Sequence, residues 1–387
     1  MSGPRAAVAP ARDRGIDALR GVAILLVIAY HAGPLAFRLP PLGPDGWLVL
    51  PRLGAAWLAV PLLHFGFAGV HLFFVLSGFC IHASCHLGRD FAPAAPGQRE
   101  RARRYAYRRL MRIAPPYYLA LVAFAWVVPA VSAALARPAA PAAAWDVGVH
   151  ALFAHGLSPR TIFSINPAFW SLATEMQFYA VYPLVAWAGW RFGLARVLLA
   201  ALLLSLAFRA AVLSLVPPTL DHFMLYRVWV HGFFVPRWFE WILGCWLAEA
   251  AAGRVAGARL PEARPAALLG AAFLLLAMAT RVHVVIDKLF ADALFSLGFA
   301  LIAAAVLGRE RALAAAGRVA GRPTRALAAI GRRSYGTYLV HQPILDSDWL
   351  PLVPRLLLTA AAGGLFSRFA ERPFERWARR GPGRPGP

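Results

Sequence analysis

The sequence predicts an all-α integral membrane protein, a bundle of about ten transmembrane helices with both termini in the cytoplasm. Of its 387 residues, 60% are hydrophobic, and the mean hydropathy is +0.58. Only 15% are charged, far below the roughly 25% of soluble domains. The net charge of +22 would also suit a nucleic-acid-binding protein. The basic residues sort by membrane side and form no single patch, however, which argues against that class.

The apolar runs indicate ten membrane spans. In chain order they are 18–36, 61–85, 113–135, 168–190, 194–216, 234–252, 266–281, 286–307, 325–345 and 350–370. With a cytoplasmic N-terminus, three quarters of the 40 lysine and arginine residues lie on the cytoplasmic side, as the positive-inside rule requires. The same bias favours ten spans over nine or eleven, because an even number returns the C-terminus to the cytoplasm.

A single membrane domain is expected. Residues 1–15 read as a cytoplasmic tail, 16–372 as the transmembrane domain and 373–387 as a basic, glycine- and proline-rich cytoplasmic tail. Arg12 and Arg14 before the first span would also suit a cleaved signal peptide, but no small-residue cleavage site follows, so the helix is expected to be retained. No internal repeat is visible, and no appended soluble domain is expected to complete the chemistry.

The first span carries two ionisable groups. In "RGVAILLVIAYHAG", Arg20 and His31 flank a mostly apolar run. His31 lies roughly 16 Å along the helix from Arg20, about halfway through a hydrocarbon core about 30 Å thick. Ionisable groups at that depth are costly and therefore mark candidate functional sites.

The fourth span carries a carboxylate at a similar depth. Glu175, in "FWSLATEMQFYAVYP", lies roughly 10 Å below the outer boundary. A carboxylate beside His31 could fix the imidazole tautomer and stabilise the imidazolium of a general base. The alternative is two unrelated polar residues, each satisfied by other helices. His341, in "RRSYGTYLVHQPIL", lies roughly 12 Å into the ninth span, where packing is the more ordinary role.

Arginines cluster at the cytoplasmic membrane face. Arg109 and Arg112 follow an R-x-x-R spacing that places both on one helical face, and arginine binds phosphate in bidentate geometry. Arg14 and Arg20 are expected near the same face. This pattern predicts a phosphorylated ligand arriving from the cytoplasm, although the positive-inside bias alone would also put arginines there.

No metal site and no bound cofactor are predicted. His82 and His86 lie four residues apart, a spacing that can bind metal, but no neighbouring carboxylate is expected, and both are predicted to lie at the cytoplasmic interface. Cys80, Cys85 and Cys245 lack metal-type spacing and are expected to pack among the helices.

Seven segments, read in order, resemble acyltransferase family 3, the membrane O-acyltransferases that modify bacterial polysaccharides, nodulation factors and macrolides. They are "IDALRGVAILLVIAYH", "HLFFVLSGF", "RRLMRIAPPYY", "WSLATEMQFYAVYP", "RWFEWILG", "SYGTYLVHQP" and "ERPF". The resemblance covers nearly the whole chain. One departure is Met176, where the family often has a second glutamate, so Glu175 is the only carboxylate of its block.

The resemblance implies acyl-CoA-dependent O-acylation in the plasma membrane. The donor, acetyl-CoA by default, would come from the cytoplasm, and the acceptor would be the hydroxyl of a glycan that is outside the cell or carried on a lipid. The resemblance implies His31 as general base and Glu175 as its orienting partner. It also implies donor phosphates bound by arginines, here Arg14, Arg20, Arg109 and Arg112. Further residues expected to line the site are Asp17, Trp170, Ser171, Tyr179, Arg237, Glu240, Tyr338 and His341.

Two alternatives stay open at this stage. Direct transfer and an acyl-histidine intermediate are not separated by the sequence. A transporter or flippase for a lipid-linked saccharide would also place polar groups at mid-membrane, although the missing inverted repeat argues against it.

Overall fold

The computed structural model describes residues 14–37, 65–92, 97–134, 140–216, 223–255, 260–280, 283–318, 320–347 and 350–380. Within these ranges every regular element is helical, which confirms the all-α prediction. The α-helices are α1 (Arg14–Phe37), α2 (Gly69–Ser84), α3 (Gln98–Val122, continued to Ala134), α4 (Ala144–Ala151), α5 (Trp170–Phe192), α6 (Leu194–Leu215), α7 (Phe223–Arg227), α8 (Trp238–Ala251), α9 (Ala263–Ala279), α10 (Val284–Ala315), α11 (Arg322–Gly331), α12 (Ser334–Leu345), α13 (Leu352–Phe366) and α14 (Arg372–Arg380).

Long apolar helices support a membrane protein. In the described ranges, five stretches are long and apolar enough to cross a bilayer: Arg14–Gly33, Gly66–Ser84, Gln98–Ala134, Leu194–Leu215 and Val284–Ala315. The helices α5, α8, α12 and α13 also fall on predicted spans, but they are shorter or carry more polar residues. The count of ten spans and the cytoplasmic position of both termini therefore stay predictions.

The predicted ninth span, 325–345, is two helices instead of one. Helix α11 ends at Gly331 and α12 begins at Ser334, with a turn at two exposed arginines between them. Gly331 packs its backbone against the carbonyl of Asp17 in α1, where a Cβ atom would not fit. The chain therefore turns between α11 and α12, and α12 alone carries His341 into the bundle.

Close backbone contact also joins α2 to α8. Gly78 faces the carbonyl of Trp241, and Gly244 faces the carbonyl of Val75, each closer than a side chain would allow. Small residues at such crossings let membrane helices approach until their backbones touch. This contact fixes the face of α2 that carries Ser77.

Aromatic packing and one amide fix α5. Phe178 of α5 stacks on Trp241 of α8, with ring centroids 5.4 Å apart and planes at 17°. Just before α5, the side chain of Asn166 accepts from the amide of Ala168 at 3.0 Å and donates to the carbonyl of Leu339 in α12 at 2.8 Å. The N-terminal end of α5 is therefore tied to α12.

A π-helical segment, Ser367–Glu371, connects α13 to α14, which packs on α3. Helix α14 occupies the first part of the predicted C-terminal tail, while 381–387 lie outside the described residues. The N-terminal tail also lies outside them up to residue 13, and Arg14 is the first residue of α1.

Candidate active site

A cavity of about 100 Å³ lies between α1, α2, α3, α5 and α12. Its lining combines basic, hydroxyl-bearing and apolar side chains: Arg20, Val70, Phe73, Phe74, Ser77, Cys80, Ile81, Arg109, Arg112, Ile113, Ser171, Leu172, Glu175, Tyr179, Ser334, Tyr335 and Tyr338.

Glu175 is the carboxylate of this cavity. Its Oε1 accepts hydrogen bonds from Ser77 Oγ at 2.9 Å and from the hydroxyl of Tyr179 at 2.5 Å. Tyr179 lies one helical turn after Glu175, a spacing at which helical side chains meet. Behind them, Trp241 Nε1 donates to Ser77 Oγ at 3.3 Å. Groups from α2, α5 and α8 therefore hold the carboxylate in one position.

Three of the four predicted phosphate-binding arginines line this cavity. Arg20 lies one turn from Asp17 in α1, with 3.7 Å between Nη1 and Oδ1, and donates to Cys80 Sγ at 3.3 Å. Arg109 and Arg112 come from α3. Arg14 is exposed at the start of α1 and is not among the described lining residues. Asp17 is buried and acts as a partner of Arg20 behind the cavity wall.

Two hydroxyls close the end of the cavity opposite the arginines. Ser171 Oγ and the hydroxyl of Tyr338 are 2.7 Å apart and join α5 to α12. Phe73 packs on Tyr338 with ring centroids 5.9 Å apart. The neighbouring Trp170 is not among the described lining residues. Its ring faces Arg237, with the guanidinium carbon 5.2 Å from the ring centroid.

His31 lies beside His341, beyond Tyr338. The two imidazole centroids are 5.1 Å apart, with planes at 62°, and the ring of Tyr338 is 5.2 Å from that of His341. Among the described residues, no hydrogen bond joins His31 to Glu175, and His31 does not line the cavity. The direct pairing expected from their depths is thus not formed here, and Oε1 of Glu175 accepts from Ser77 and Tyr179 instead. The catalytic roles of both residues stay predictions.

Arg237 and Glu240, expected at the site, belong instead to a buried ion-pair network. Arg237 Nη1 lies 3.2 Å from Glu240 Oε1, and Nη2 lies 3.5 Å from Asp292 Oδ2. His71 bridges the two carboxylates, with Nδ1 2.8 Å from Glu240 and Nε2 3.4 Å from Asp292. Arg209 of α6 also pairs with Asp292. The network joins α2, α6, α8 and α10 behind the cavity wall.

The network includes a set of side chains with metal-binding geometry. The ligand atoms of His71, Glu240 and Asp292 lie within 4.8 Å of one another. Arg209 and Arg237 already neutralise the two carboxylates, and a divalent cation would face both guanidinium groups. Charge balance therefore favours an ion-pair network over a metal centre.

The histidines four residues apart do have carboxylate neighbours, contrary to expectation. His82 Nε2 lies 3.0 Å from Glu249 Oε1, and His86 Nδ1 lies 3.1 Å from Asp90 Oδ1. Each histidine has its own partner, so these contacts make two separate pairs. The partner of His82 is distant in the sequence and comes from α8, which is why spacing alone missed it.

Sequence reasoning missed several cavity residues. Cys80, expected only to pack, lines the cavity against Arg20, while Cys85 and Cys245 are buried as expected. Ser77, which was not among the residues predicted to line the site, also lines the cavity. Its place in the "HLFFVLSGF" block was the signal that could have selected it.

Comparison with known proteins identifies a family that matches most of the chain. A model of acyltransferase family 3, described as "Acyltransferase domain", matches residues 13–367. A protein named as membrane-bound transacylase BcsY, from Komagataeibacter xylinus, is 31% identical over 45% of this chain and 37% of its own length. A protein named as peptidoglycan O-acetyltransferase YrhL, from Bacillus subtilis strain 168, is 27% identical over 93% of this chain and 54% of its own length. The chain spans about half the length of these relatives or less. No solved structure matches it.

Proposed function

Because this chain belongs to acyltransferase family 3, we propose that it is a multi-pass plasma-membrane enzyme that moves an acyl group from cytoplasmic acyl-CoA to a hydroxyl. The acyl group is acetyl by default, and the hydroxyl belongs to a glycan that is extracytoplasmic or lipid-linked. The observation that carries the proposal is the cavity that joins three arginines to Glu175 and to the hydroxyls of Ser171 and Tyr338.

The arginine end of the cavity suits the phosphates of a nucleotide-bearing donor. A guanidinium group can donate two parallel hydrogen bonds to the oxygens of one phosphate. Arg20, Arg109 and Arg112 line the cavity from two helices. The lining also includes the apolar side chains of Val70, Phe73 and Leu172, against which the pantetheine arm of the donor would lie. The thioester would then lie near the end closed by Tyr338, on the side from which His31 approaches.

The chemistry proposed for His31 is general base catalysis. His31 takes the proton of the acceptor hydroxyl, the hydroxyl oxygen attacks the thioester carbonyl, and the carbon–sulfur bond breaks. The leaving thiolate receives the proton from the imidazolium, which returns His31 to its neutral form. A positioned general base contributes typically 10²- to 10⁴-fold. Glu175, held by Ser77 and Tyr179, supplies fixed negative charge in the donor cavity.

The relative named as a peptidoglycan O-acetyltransferase supports a glycan hydroxyl as acceptor. The first experiment follows radiolabel from [¹⁴C]acetyl-CoA into cell-envelope glycans, using membranes that contain the wild type, His31→Ala or Glu175→Gln. We expect label with the wild type and loss with His31→Ala. His86→Ala is the matched control, because His86 is a largely exposed histidine paired only with Asp90 in a surface turn.

Either outcome of that experiment is informative. Wild-type transfer by well-expressed His31→Ala would end the assignment of His31 as base. No transfer by the wild type with any acyl-CoA or acceptor would favour a transporter of a lipid-linked saccharide, which needs no acyl-CoA. Label trapped on the protein in the absence of acceptor would favour an acyl-histidine intermediate over direct transfer.

The donor half of the proposal has its own test. Loss of one charge-assisted hydrogen bond costs about 1.5 to 3 kcal/mol, so Arg112→Gln should raise the KM for acetyl-CoA on the order of tenfold or more. Its kcat should change less. Arg103→Gln is the matched control, because Arg103 lies on the same helix but is exposed and pairs with Glu100. If both variants raised the KM for acetyl-CoA equally, donor binding would depend on the overall positive charge of the surface and not on a specific phosphate site.

A further inference from the structure

The tautomer of His341 follows from its contacts. Its Nδ1 lies 2.7 Å from the carbonyl oxygen of Tyr338. A carbonyl oxygen only accepts hydrogen bonds, so Nδ1 carries the proton, and Nε2 is left with a bare lone pair. His341 is fully buried, and within the described part of the chain its Nε2 has no hydrogen-bond partner.

An unpaired acceptor in the middle of a helix bundle is uncommon, because buried polar groups are normally hydrogen-bonded. The group that faces His341 from α1 is the imidazole of His31, with 5.1 Å between the ring centroids. At that separation, two ring nitrogens that point at each other are roughly 3 Å apart, a hydrogen-bond distance, and rotation of His31 about its side-chain bonds would direct a nitrogen at His341. The other described ring in contact with His341 is that of Tyr338, whose hydroxyl is hydrogen-bonded to Ser171.

We propose that His341 is the positioning residue of His31. Its Nε2 accepts the N–H of His31 and so holds His31 in one tautomer, with the other ring nitrogen free to take the proton of the acceptor hydroxyl. The proposed chain of hydrogen bonds runs from the Tyr338 carbonyl through His341 to His31. A base oriented by a third group is the general arrangement of nucleophile-activating sites.

This inference rests on the proposed function and changes one part of it. Glu175 was expected to orient His31, but its Oε1 accepts from Ser77 and Tyr179, and no hydrogen bond among the described residues joins it to His31. With His341 as the orienting group, the proton of the hydroxyl moves to the free nitrogen of His31 and then to the leaving thiolate. His341 keeps its own proton on Nδ1 throughout, and the step is balanced.

The test separates positioning from packing. His341→Leu fills the space but has no acceptor, whereas His341→Gln retains an acceptor oxygen near the position of Nε2. We expect His341→Leu to lower kcat about 10- to 100-fold with the KM for acetyl-CoA unchanged, and His341→Gln to recover part of that loss. In a His31→Ala background, His341→Leu should produce no further decrease, because His341 acts only through His31. Residues that act as one unit show such non-additive losses.

His155→Leu is the matched control for removal of a buried histidine. His155 is fully buried, and both of its ring nitrogens lack partners among the described residues, but it stacks on His150 in the segment before α5 and does not contact His31. Its kcat should stay near the wild-type value. Membrane levels and the unchanged KM establish that each variant is folded.

Three results would overturn the positioning role alone while the wild type remains active. These are a wild-type kcat for His341→Leu, equal losses for the leucine and glutamine variants, or a further loss when His341→Leu is added to His31→Ala. A wild-type protein that transfers no acyl group overturns the proposed function, and the role of His341 falls with it.

Discussion

At the scale of single residues, the environment of Glu175 depends on two hydroxyl donors, of which Tyr179 is the easier to remove cleanly. Tyr179→Phe keeps the ring and the cavity shape but removes one hydrogen bond to the carboxylate. A hydrogen bond to a charged group contributes about 1.5 to 3 kcal/mol, and about 1.4 kcal/mol corresponds to a tenfold change in rate. If Glu175 takes part in the reaction, kcat for acyl transfer should fall about tenfold.

Tyr335→Phe is the control for this prediction. Tyr335 also lines the cavity, but its hydroxyl donates to the carbonyl of Ile113 at 2.9 Å and does not reach Glu175. A loss of kcat as large for Tyr335→Phe as for Tyr179→Phe would mean that the rate responds to general disturbance of the wall.

The sequence predicted the residue types of the site better than their pairing. Depth along a span placed His31 and Glu175 at one level, and both are found near the cavity or next to its closed end. Depth says nothing about the direction in which a helix turns its side chains, however. Only packing shows that Glu175 turns towards Ser77 of α2 and that His31 meets His341 of α12.

At the scale of helices, the crossing of α2 and α8 is the contact on which the position of Ser77 depends. Gly244→Ala would place a methyl group against the backbone carbonyl of Val75, which cannot move without shifting α2. Overpacking of this kind costs typically about 1 to 3 kcal/mol. We expect a lower midpoint of thermal unfolding in detergent and reduced acyl transfer.

Gly364→Ala provides the comparison for that crossing. Gly364 lies in α13, and no described heavy atom would come within 4 Å of an added Cβ. Because alanine favours helix over glycine by about 1 kcal/mol, this variant should unfold at the same temperature or higher. A similar destabilisation of both variants would contradict the importance of the α2–α8 contact.

The segment around α4 should be sensitive to acid. His150 and His155 stack with ring centroids 4.0 Å apart and planes 3° from parallel, and both are fully buried. Burial, together with the charge of a protonated His150, lowers the pKa of His155 to about 3. Burial also lowers the pKa of His150, against the opposing effect of Asp146. Neutral histidines are therefore built into the folded segment.

The direction of the pH effect follows from that lowered pKa. Between an ordinary value of 6.5 and about 3, the open segment binds more protons than the folded one, so stability is full above pH 6.5 and is lost as the pH falls. Hydrogen-exchange protection factors for 144–169, corrected for intrinsic exchange, should decrease across this range. His155→Phe should reduce the decrease, and unchanged protection down to pH 4 would contradict the assignment.

At the scale of the whole molecule, hydropathy and charge asymmetry predicted an all-α membrane protein, while several helix boundaries needed packing to define them. Arg332 and Arg333 look like the cytoplasmic end of one long span, yet they form a turn between α11 and α12 because Gly331 docks on α1. Arg209 is isolated in an apolar run, so the sequence around it does not indicate which residue pairs with it. Asp292 lies far along the chain on α10, and no local pattern connects them.

That ion pair belongs to the network that holds four helices together, and its charge balance can be tested. Asp292 pairs with both Arg209 and Arg237, so Asp292→Asn leaves two guanidinium groups facing Glu240 alone. Removing one partner of a buried pair costs about 3 to 5 kcal/mol. We expect a clear drop in the thermal midpoint of the purified protein in detergent.

The double variant Asp292→Asn/Arg209→Gln distinguishes charge balance from simple loss of contacts. It removes one charge of each sign and restores neutrality, so its destabilisation should be smaller than the sum of the two single effects. Independent sites add within about 0.3 to 0.5 kcal/mol, and additivity within that margin would contradict the network. A chelator tests whether the network holds a metal ion instead. If His71, Glu240 and Asp292 bound a metal, EDTA would lower the midpoint of thermal unfolding of the wild type. The two arginines lead us to expect that EDTA has no effect.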